Sequence, residues 1–231
     1  TDFVENTVDA QISVEQKPEE WDLGELNQAL KVVIPTIGTV TKEDIAGGFC
    51  FDVSSFVITA VMHAGACLSV VPENIRLNMH ELNNYFMAQN VSHTFITTQV
   101  GKLFMQNVDE TSLDVLLVAG EKLGEFESPK DYQLVDAYGP TEAFAFVTSI
   151  NNTDKLDYSS VGFCNCNVKS YVLDGEFRRV PIGASGELYL AGYQVADGYL
   201  NRDEETEKAF MDNPFDDGDY DKLYRTGDIV R

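Results

Sequence analysis

At 231 residues, the chain is long enough for one large domain or two small ones, and its hydrophobic content of 44% suffices for a buried core. Its 38 acidic residues against 16 basic ones give a formal charge of −22 at pH 7. Such a surface repels nucleic-acid phosphates and anionic lipid headgroups, so we expect neither nucleic acid nor a membrane as a partner.

Residues 1–41 differ in pattern from the rest and are predicted to form a helical extension. Pro18 lies at the start of an amphipathic helix over residues 17–30, which has acidic residues in its first turn, and residues 32–35 end it. The stretch Pro18-Glu-Glu-Trp-Asp-Leu23 resembles the helical wing segment of the SecA preprotein translocase ATPase, and this likeness covers about residues 1–35. An acidic helical hairpin is the alternative.

Residues 42–151 alternate between apolar runs of strand length and helical patterns. The patterns predict a buried helix over residues 57–64 and further helices over 78–89 and 100–105. They predict strands over 66–71, 94–97 and 115–119. This alternation at the spacing of βαβ units predicts an α/β domain with a doubly wound sheet.

A further short strand over residues 133–136 runs into Gly139-Pro140, a step that continues neither a strand nor a regular helix. The turn brings Tyr138, Thr141 and Glu142 to the carboxyl end of a strand, where open α/β sheets bind ligands. A phenol ring can cover a flat heterocycle, a hydroxyl can bond a phosphate oxygen, and a carboxylate can hold Mg²⁺. An ordinary surface turn is the alternative.

Residues 152–231 are predicted to form a β-rich portion with short antiparallel strands. The strands are expected over 170–173 and 187–191, and a short helix is expected over 204–210. Cys164 and Cys166 would face the same side of a strand over residues 163–168, which predicts a pair of core thiols. Neither they nor Cys50 and Cys67 have the spacing of a zinc site.

No signal peptide is visible, and no apolar run approaches the roughly 20 residues that a membrane span needs. We therefore expect a cytoplasmic protein with reduced thiols.

Three blocks follow one another in the chain. They are Tyr138-Gly-Pro-Thr-Glu142, then Gly186-Glu-Leu-Tyr-Leu-Ala-Gly192 with Val195-Ala-Asp-Gly-Tyr-Leu-Asn-Arg202, and then Tyr224-Arg-Thr-Gly-Asp228. In this order and spacing they resemble the adenylate-forming superfamily, specifically the amino-acid-activating adenylation domains of nonribosomal peptide synthetases. The resemblance covers residues 42–231. It implies part of the large domain, with a mixed or parallel sheet and helices followed by a β-rich, distorted barrel-like portion.

The resemblance implies a two-step reaction. An amino-acid carboxylate joins the α-phosphorus of ATP and releases pyrophosphate, and the aminoacyl adenylate is then passed to a phosphopantetheine thiol on a peptidyl carrier protein. The expected cofactors are ATP or AMP with Mg²⁺. Because few basic residues lie near the motifs, a bound nucleotide also needs the positive charge of Mg²⁺. The acidity of the chain is equally consistent with a solubility adaptation.

The resemblance also assigns roles in the nucleotide site. Thr141 would bond the α-phosphate, and Glu142 would hold Mg²⁺. Tyr138, followed by Gly139, would stack on adenine, and Asp228 would accept both ribose hydroxyls. The other face of adenine would be covered by Gly120, Glu121 and Lys122. Asp136 stands where the family usually has Asn, and it would accept a hydrogen bond from the adenine amino group.

The block Phe51-Asp-Val-Ser54 resembles the family segment whose Asp binds the substrate ammonium, which assigns that role to Asp52. An N-cap of a helix beginning at Ser54 is the alternative for this Asp. None of the side chains at the corresponding wall positions is polar, which predicts an aliphatic amino acid, valine-like first, with relaxed specificity. The walls are Val53, Phe56, Phe95, Leu117, Ala119, Ala137, Ala145 and Phe146.

Two family features do not occur in the sequence. No Gly/Ser/Thr-rich phosphate loop lies between Thr1 and Phe49, and no small C-terminal domain with its Lys follows Arg231. We therefore expect a piece of a longer enzyme with very poor turnover of its own. The alternatives are an inactive adenylate-binding remnant or scaffold, and an adenylate-forming ligase for fatty or aryl acids. A translocation ATPase defined by the first 40 residues ranks last.

Overall fold

The computed structural model describes residues 31–34, 52–124, 131–151, 160–215 and 220–231. The helix predicted over residues 17–30, the SecA-like stretch and Cys50 lie outside the described residues. Among the described helices, none combines the length and the apolar composition of a membrane span.

The chain divides into two compact units. The first comprises Thr1–Ala137 with Ile150–Val161, and the second comprises Tyr138–Ser149 with Gly162–Arg231. The predicted domain boundary at residue 151 stays a prediction.

Five parallel strands form the sheet of the first unit, in the order β2-β1-β3-β4-β5. This order is one of the two common orders of doubly wound sheets, which confirms the predicted architecture. The first strand lies within residues 1–41, which were predicted to form a helical extension, at the point where residues 32–35 were expected to end the helix. The strands are β1 (Lys31–Ile34), β2 (Cys67–Val70), β3 (His93–Thr97), β4 (Val115–Ala119) and β5 (Gln133–Tyr138).

Three helices accompany these strands: α1 (Asp52–His63), α2 (Met79–Gln89) and α3 (Thr98–Asn107). The side chain of Asn78 caps α2 by accepting a hydrogen bond from the Glu81 backbone N–H at 3.4 Å. The helix predicted over residues 57–64 is present, but the prediction that it is buried is wrong for most of its surface. Helix α1 begins earlier, and only its face with Val53, Ser54, Val57 and Val61 is buried, while Met62 is 57% exposed.

One face of the sheet packs against α2 and α3. Leu116, Val118 and Leu134 of β4 and β5 lie in one buried cluster with Phe86 of α2 and Phe104 of α3. The two phenylalanine rings lie 5.7 Å apart. Because successive side chains of a strand point to opposite faces, the residues between these three belong to the other face.

The second unit contains an antiparallel sheet in the order β10-β11-β9-β8. Strand β6 (Thr148–Asn151) pairs antiparallel with β7 (Phe163–Cys164). The predicted strands and short helix are confirmed, except that Phe210 opens a strand instead of ending the helix. The remaining elements are β8 (Val168–Leu173), β9 (Gly186–Gly192), α4 (Asp203–Ala209), β10 (Phe210–Asp212) and β11 (Lys222–Val230).

The prediction of two core thiols is wrong. Strand β7 ends at Cys164, and the chain then turns, with Asn167 at φ 63° and the Val168 N–H donating to the Asn165 carbonyl at 3.3 Å. Cys164 and Cys166 are therefore both exposed, as free thiols.

Candidate functional site

The segment Gly120-Glu121-Lys122 leaves the carboxyl end of β4 and lies against the first turns of α3. The Thr98 hydroxyl donates to the Glu121 carbonyl at 3.0 Å, and the Gln99 amide donates to the Glu121 carboxylate. Gly120 has φ +101°, a conformation that side-chain-bearing residues rarely adopt. This segment therefore occupies a fixed position at the edge of the sheet where α/β proteins bind ligands.

Four of the predicted pocket walls lie together on one face of the sheet. Phe95 of β3 is the register partner of Leu117 of β4, and Ala119 of β4 is the partner of Ala137 of β5. Partners in a parallel sheet point to the same side. Phe95, Ala119 and Ala137 are 4–6% exposed. The result is an apolar surface at the carboxyl ends of three adjacent strands.

Asp136 lies on the opposite face from that apolar surface, since it alternates with Ala137 and is the register partner of Val118. Burial raises the pKa of its carboxyl group to about 6, against a smaller lowering by the Lys102 ammonium and by the Ala137 backbone N–H. The raised pKa means that a part of the Asp136 population is protonated near neutral pH, and a protonated carboxyl group donates as well as accepts hydrogen bonds.

Asp52, Val53 and Phe56 lie in the first turns of α1. The Asp52 carboxylate accepts a hydrogen bond from the Val53 backbone N–H at 2.7 Å. Asp52 is the first residue of the helix, so the helix does not begin at Ser54 as the N-cap alternative required. Asp52 and Phe56 are half-buried and Val53 is buried.

In the second unit, the chain from Tyr138 to Val147 folds into a tight loop. The Val147 N–H donates to the Tyr138 carbonyl at 2.8 Å, and Thr141–Ala143 form a single 3₁₀ turn. A Cβ at Gly139 would lie 2.2 Å from the Ala145 carbonyl oxygen, so only glycine fits there. The loop then passes through two residues with positive φ, Phe144 at 47° and Ala145 at 63°.

Two amides hold this loop from the side. The Gln194 amide donates to the Ala143 carbonyl at 2.7 Å, and the Asn165 amide donates to the Phe146 carbonyl at 3.1 Å. Ala145 and Phe146, the two predicted walls in this unit, are 2% and 7% exposed. The motif patterns gave no role to either amide, because Gln194 falls between two motif blocks and Asn165 lies outside all of them.

Tyr138 and Asp228, which were predicted to hold adenine and ribose, are in direct contact. The Tyr138 hydroxyl donates to the Asp228 carboxylate, and burial together with this carboxylate raises the pKa of Tyr138. The Asp228 backbone N–H donates to the Thr226 hydroxyl at 3.0 Å, and that hydroxyl donates to the Leu188 carbonyl at 2.8 Å. The carboxylate of Asp228 is thus oriented by a phenol, while its backbone is tied to β9.

Glu142 contacts a pair of phenols that the motif patterns did not single out. The Tyr199 hydroxyl donates to the Glu142 carboxylate at 2.6 Å. Burial raises the pKa of both Tyr199 and Tyr224, and hydrogen bonds to the Glu142 carboxylate raise them further. Both tyrosines lie within the motif blocks, but they are far from Glu142 in sequence, so the motifs alone did not predict that they contact its carboxylate.

The donor set suits Mg²⁺ better than a transition metal. Within the described residues, no group of three or more His, Cys, Asp or Glu side chains lies together as a metal cage. Magnesium is usually held by one or two carboxylates, with water and phosphate oxygens completing its shell. Glu142 can supply such a carboxylate, and the exposed hydroxyl of Thr141 lies one residue away.

An open cleft of about 470 Å³ lies elsewhere in the second unit and contains neither Thr141 nor Glu142. It is lined by Glu187, Lys208, Ala209, Arg225, Thr226, Gly227 and Ile229. Arg225 and Glu187 form an ion pair in this lining at 2.8 Å, and Lys208 adds one further positive charge.

A family model described as "AMP-binding enzyme" matches residues 45–200. Surfactin synthase subunit 2 of Bacillus subtilis (strain 168) is 41% identical over 197 residues, covering 84% of this chain and 5% of that protein. Bacitracin synthase 1 of Bacillus licheniformis is 36% identical over 195 residues, covering 84% of this chain and 4% of that protein. The chain thus spans a small fraction of the length of these relatives.

Solved structures of adenylation domains have a similar fold. The N-terminal subdomain of Klebsiella oxytoca NpsA in complex with 3-hydroxyanthranilyl-AMSN matches with a TM-score of 0.67 and 22% identity, covering 89% of this chain and 51% of that one. NpsA-ThdA, an artificially fused adenylation-PCP di-domain, matches with a TM-score of 0.67 and 23% identity, covering 85% and 36%. At such identities the likeness shows the fold alone, and it confirms the predicted fold.

Proposed function

Because the chain belongs to the AMP-binding enzyme family, we propose that it is part of an adenylation domain that activates an amino acid for nonribosomal peptide synthesis. In the proposed reaction, a carboxylate oxygen of the amino acid attacks the α-phosphorus of ATP, and pyrophosphate leaves with the electrons of the broken P–O bond. The phosphopantetheine thiol of a peptidyl carrier protein then attacks the acyl carbon as its proton is lost, and AMP leaves.

We propose nucleotide-binding roles for residues of each unit, taken one unit at a time. In the second unit, Tyr138 stacks on adenine beside Gly139, and Asp228 accepts the ribose hydroxyls. The contact between the Tyr138 hydroxyl and the Asp228 carboxylate supports this assignment, because it holds the carboxylate in one orientation before a nucleotide arrives. In the first unit, Gly120–Lys122 covers adenine, and Asp136 bonds its amino group.

We propose that Glu142 binds Mg²⁺ and that Thr141 bonds the α-phosphate. When bound, Mg²⁺ supplies positive charge that stabilises the charge developing on the phosphoryl oxygens. The residues of this chain orient the metal and the phosphate for that purpose. The single carboxylate in the 3₁₀ turn and its phenol partner support the assignment.

The proposed substrate is an aliphatic amino acid, valine-like first, with its ammonium group at Asp52. The observation that carries this part is the apolar surface of Phe95, Leu117, Ala119 and Ala137 at adjacent register positions. A polar side chain placed against it would leave its hydrogen bonds unmade, at a cost of roughly 1–3 kcal/mol for each group. One methylene changes affinity only about 10–200-fold, so neighbouring aliphatic amino acids also bind.

The test is calorimetric titration of the chain with non-hydrolysable sulfamoyl-adenosine analogues in the presence of Mg²⁺. The valyl analogue is compared with the aspartyl and benzoyl analogues and with AMP. We expect the valyl analogue to bind at least about tenfold more tightly than the aspartyl analogue, a difference of about 1.4 kcal/mol. Asp52→Asn is expected to remove the preference for the valyl over the benzoyl analogue.

Other outcomes identify the alternatives. Tighter binding of the benzoyl analogue would indicate a ligase for aryl acids, whose substrates have no ammonium for Asp52. Binding of AMP without discrimination among the analogues would indicate an adenylate-binding remnant. If no analogue binds while the chain is folded, the chain is a scaffold, and the proposal is refuted for it.

A further inference from the structure

Glu142 lies on a short 3₁₀ turn, whereas the tyrosines that contact its carboxylate are held firmly by neighbouring parts of the second unit. Its own turn contains only Thr141–Ala143, and its backbone carbonyl accepts a hydrogen bond from the Ala196 N–H at 2.8 Å. A glutamate side chain has three rotatable bonds, so the fixed backbone alone does not orient its carboxylate. The side chain needs other contacts to hold one orientation.

Tyr199 meets this need from a well-fixed position. Its hydroxyl donates to the Glu142 carboxylate at 2.6 Å, and its backbone N–H donates to the Thr206 hydroxyl at 2.9 Å. Its ring meets the ring of Phe210 at 5.4 Å, nearly edge to face. The ring and the backbone of Tyr199 are therefore fixed by other contacts, and its hydroxyl forms the hydrogen bond to Glu142.

Tyr224 supports the same carboxylate from the central part of the sheet. Tyr224 lies on β11, which pairs with both β9 and β10, and it is 6% exposed. Its ring centroid lies 5.1 Å from that of Phe210, and its hydroxyl is within hydrogen-bonding reach of both Tyr199 and Glu142. The two phenols thus share one aromatic support.

We propose that Tyr199 and Tyr224 are positioning residues that hold the Glu142 carboxylate in the orientation in which it binds the metal ion. The proposal rests on the proposed function, in which Glu142 is the Mg²⁺ ligand. A hydrogen bond from a neutral phenol to a carboxylate restricts its rotation without removing its charge. Partners of this kind around metal ligands commonly change metal affinity about 10–100-fold when they are removed.

A purely structural role is the competing explanation, because both rings pack in the core of the second unit. The two roles separate when only the hydroxyl is removed. Tyr199→Phe and Tyr224→Phe keep the rings against Phe210, so a structural role predicts changed stability with unchanged metal affinity. A positioning role predicts weaker metal binding at unchanged nucleotide affinity.

The experiment uses Mn²⁺ as a paramagnetic probe for the Mg²⁺ site, and its binding to the AMP-loaded chain is followed by electron paramagnetic resonance. AMP affinity without metal is measured first by calorimetry for every variant. We expect Tyr199→Phe to raise the Mn²⁺ dissociation constant about tenfold and Tyr224→Phe to raise it by a smaller factor, with AMP affinity unchanged. Tyr193→Phe, at a tyrosine that is 79% exposed, is the matched control and should bind Mn²⁺ as the parent chain does.

Glu142→Gln completes a double-mutant cycle with Tyr199→Phe. If the phenol acts through the carboxylate, removing the hydroxyl from the Glu142→Gln variant causes no further loss of Mn²⁺ binding. Equal Mn²⁺ affinity in the parent chain and both phenylalanine variants would overturn the positioning proposal and leave the nucleotide function standing. If the parent chain does not bind AMP at all, the proposed function fails first, and the positioning proposal falls with it.

Discussion

The carboxyl group of Asp136 should destabilise the fold near neutral pH. Burial raises its pKa from 3.8 to about 6, so the folded state holds the proton more tightly than the unfolded state. The contribution of this group to stability is therefore complete below its unfolded pKa and is lost as the pH rises through about 6. A rise of this size corresponds to roughly 3 kcal/mol at about 1.4 kcal/mol per pKa unit, which solvent screening at this half-buried site reduces to about 1.5 kcal/mol.

Asp136→Asn removes the titrating group and keeps its shape. We expect the free energy of unfolding, measured by urea titration with far-UV circular dichroism, to increase by about 1.5 kcal/mol near pH 7.5 and by less than about 0.5 kcal/mol near pH 4. Asp131→Asn changes an exposed carboxylate two residues before β5 and is the control, which should give no gain at either pH. A gain at Asp136 that is equal at both pH values, or absent from both, would refute the explanation by burial.

Three further predictions concern the second unit. Gly139→Ala would force a Cβ to within 2.2 Å of the Ala145 carbonyl oxygen, so the urea midpoint should fall by an amount equivalent to about 3 kcal/mol, whereas Gly175→Ala, where nothing lies within 4 Å, should be nearly neutral. Tyr138→Phe removes the donor to Asp228 and should weaken AMP about fivefold in calorimetry while free adenine binds as before, because the ring is kept. Gln194→Leu leaves the Ala143 carbonyl without its donor and should cost about 1–3 kcal/mol in urea unfolding, while Gln106→Leu on an exposed position of α3 should not. If Tyr138→Phe binds AMP as tightly as the parent chain does, the proposed role of its hydroxyl is contradicted. If Gly139→Ala has the same urea midpoint as Gly175→Ala, or Gln194→Leu the same as Gln106→Leu, the corresponding contact is contradicted.

The sheet of the first unit was largely predictable because local patterns determine it. A short, continuous apolar run such as residues 115–119 is typical of a buried parallel strand. Gly139-Pro140 ends β5 because the proline cannot continue the hydrogen-bond ladder of a strand. Alternation along β4 and β5 also predicts which residues share a face, so the apolar surface of Leu117, Ala119 and Ala137 follows from the sequence once the strands are known.

Contacts between distant residues were not predictable in the same way. Glu142 and Tyr199 are 57 residues apart, and nothing in either local pattern indicates that they meet. The spacing of Cys164 and Cys166 predicted a shared buried face only if the strand continued, and it does not, because the chain turns after Cys164. The exposure of one side of α1 was not predictable either, because an apolar sequence does not show which face of a helix other elements cover.

The alternation along β5 separates two kinds of change that evolution can make. Asp136 and Ala137 are neighbours in sequence but belong to opposite surfaces, and the same holds for Val118 and its neighbours Leu117 and Ala119. A mutation at an odd-numbered position of this strand pair reshapes the apolar surface while the buried cluster behind it stays packed. An insertion or deletion within either strand would exchange the two surfaces along the rest of that strand. The composition of the apolar surface can therefore change by point substitution without loss of the scaffold, whereas a change of length inside these strands would disrupt both the apolar surface and the scaffold.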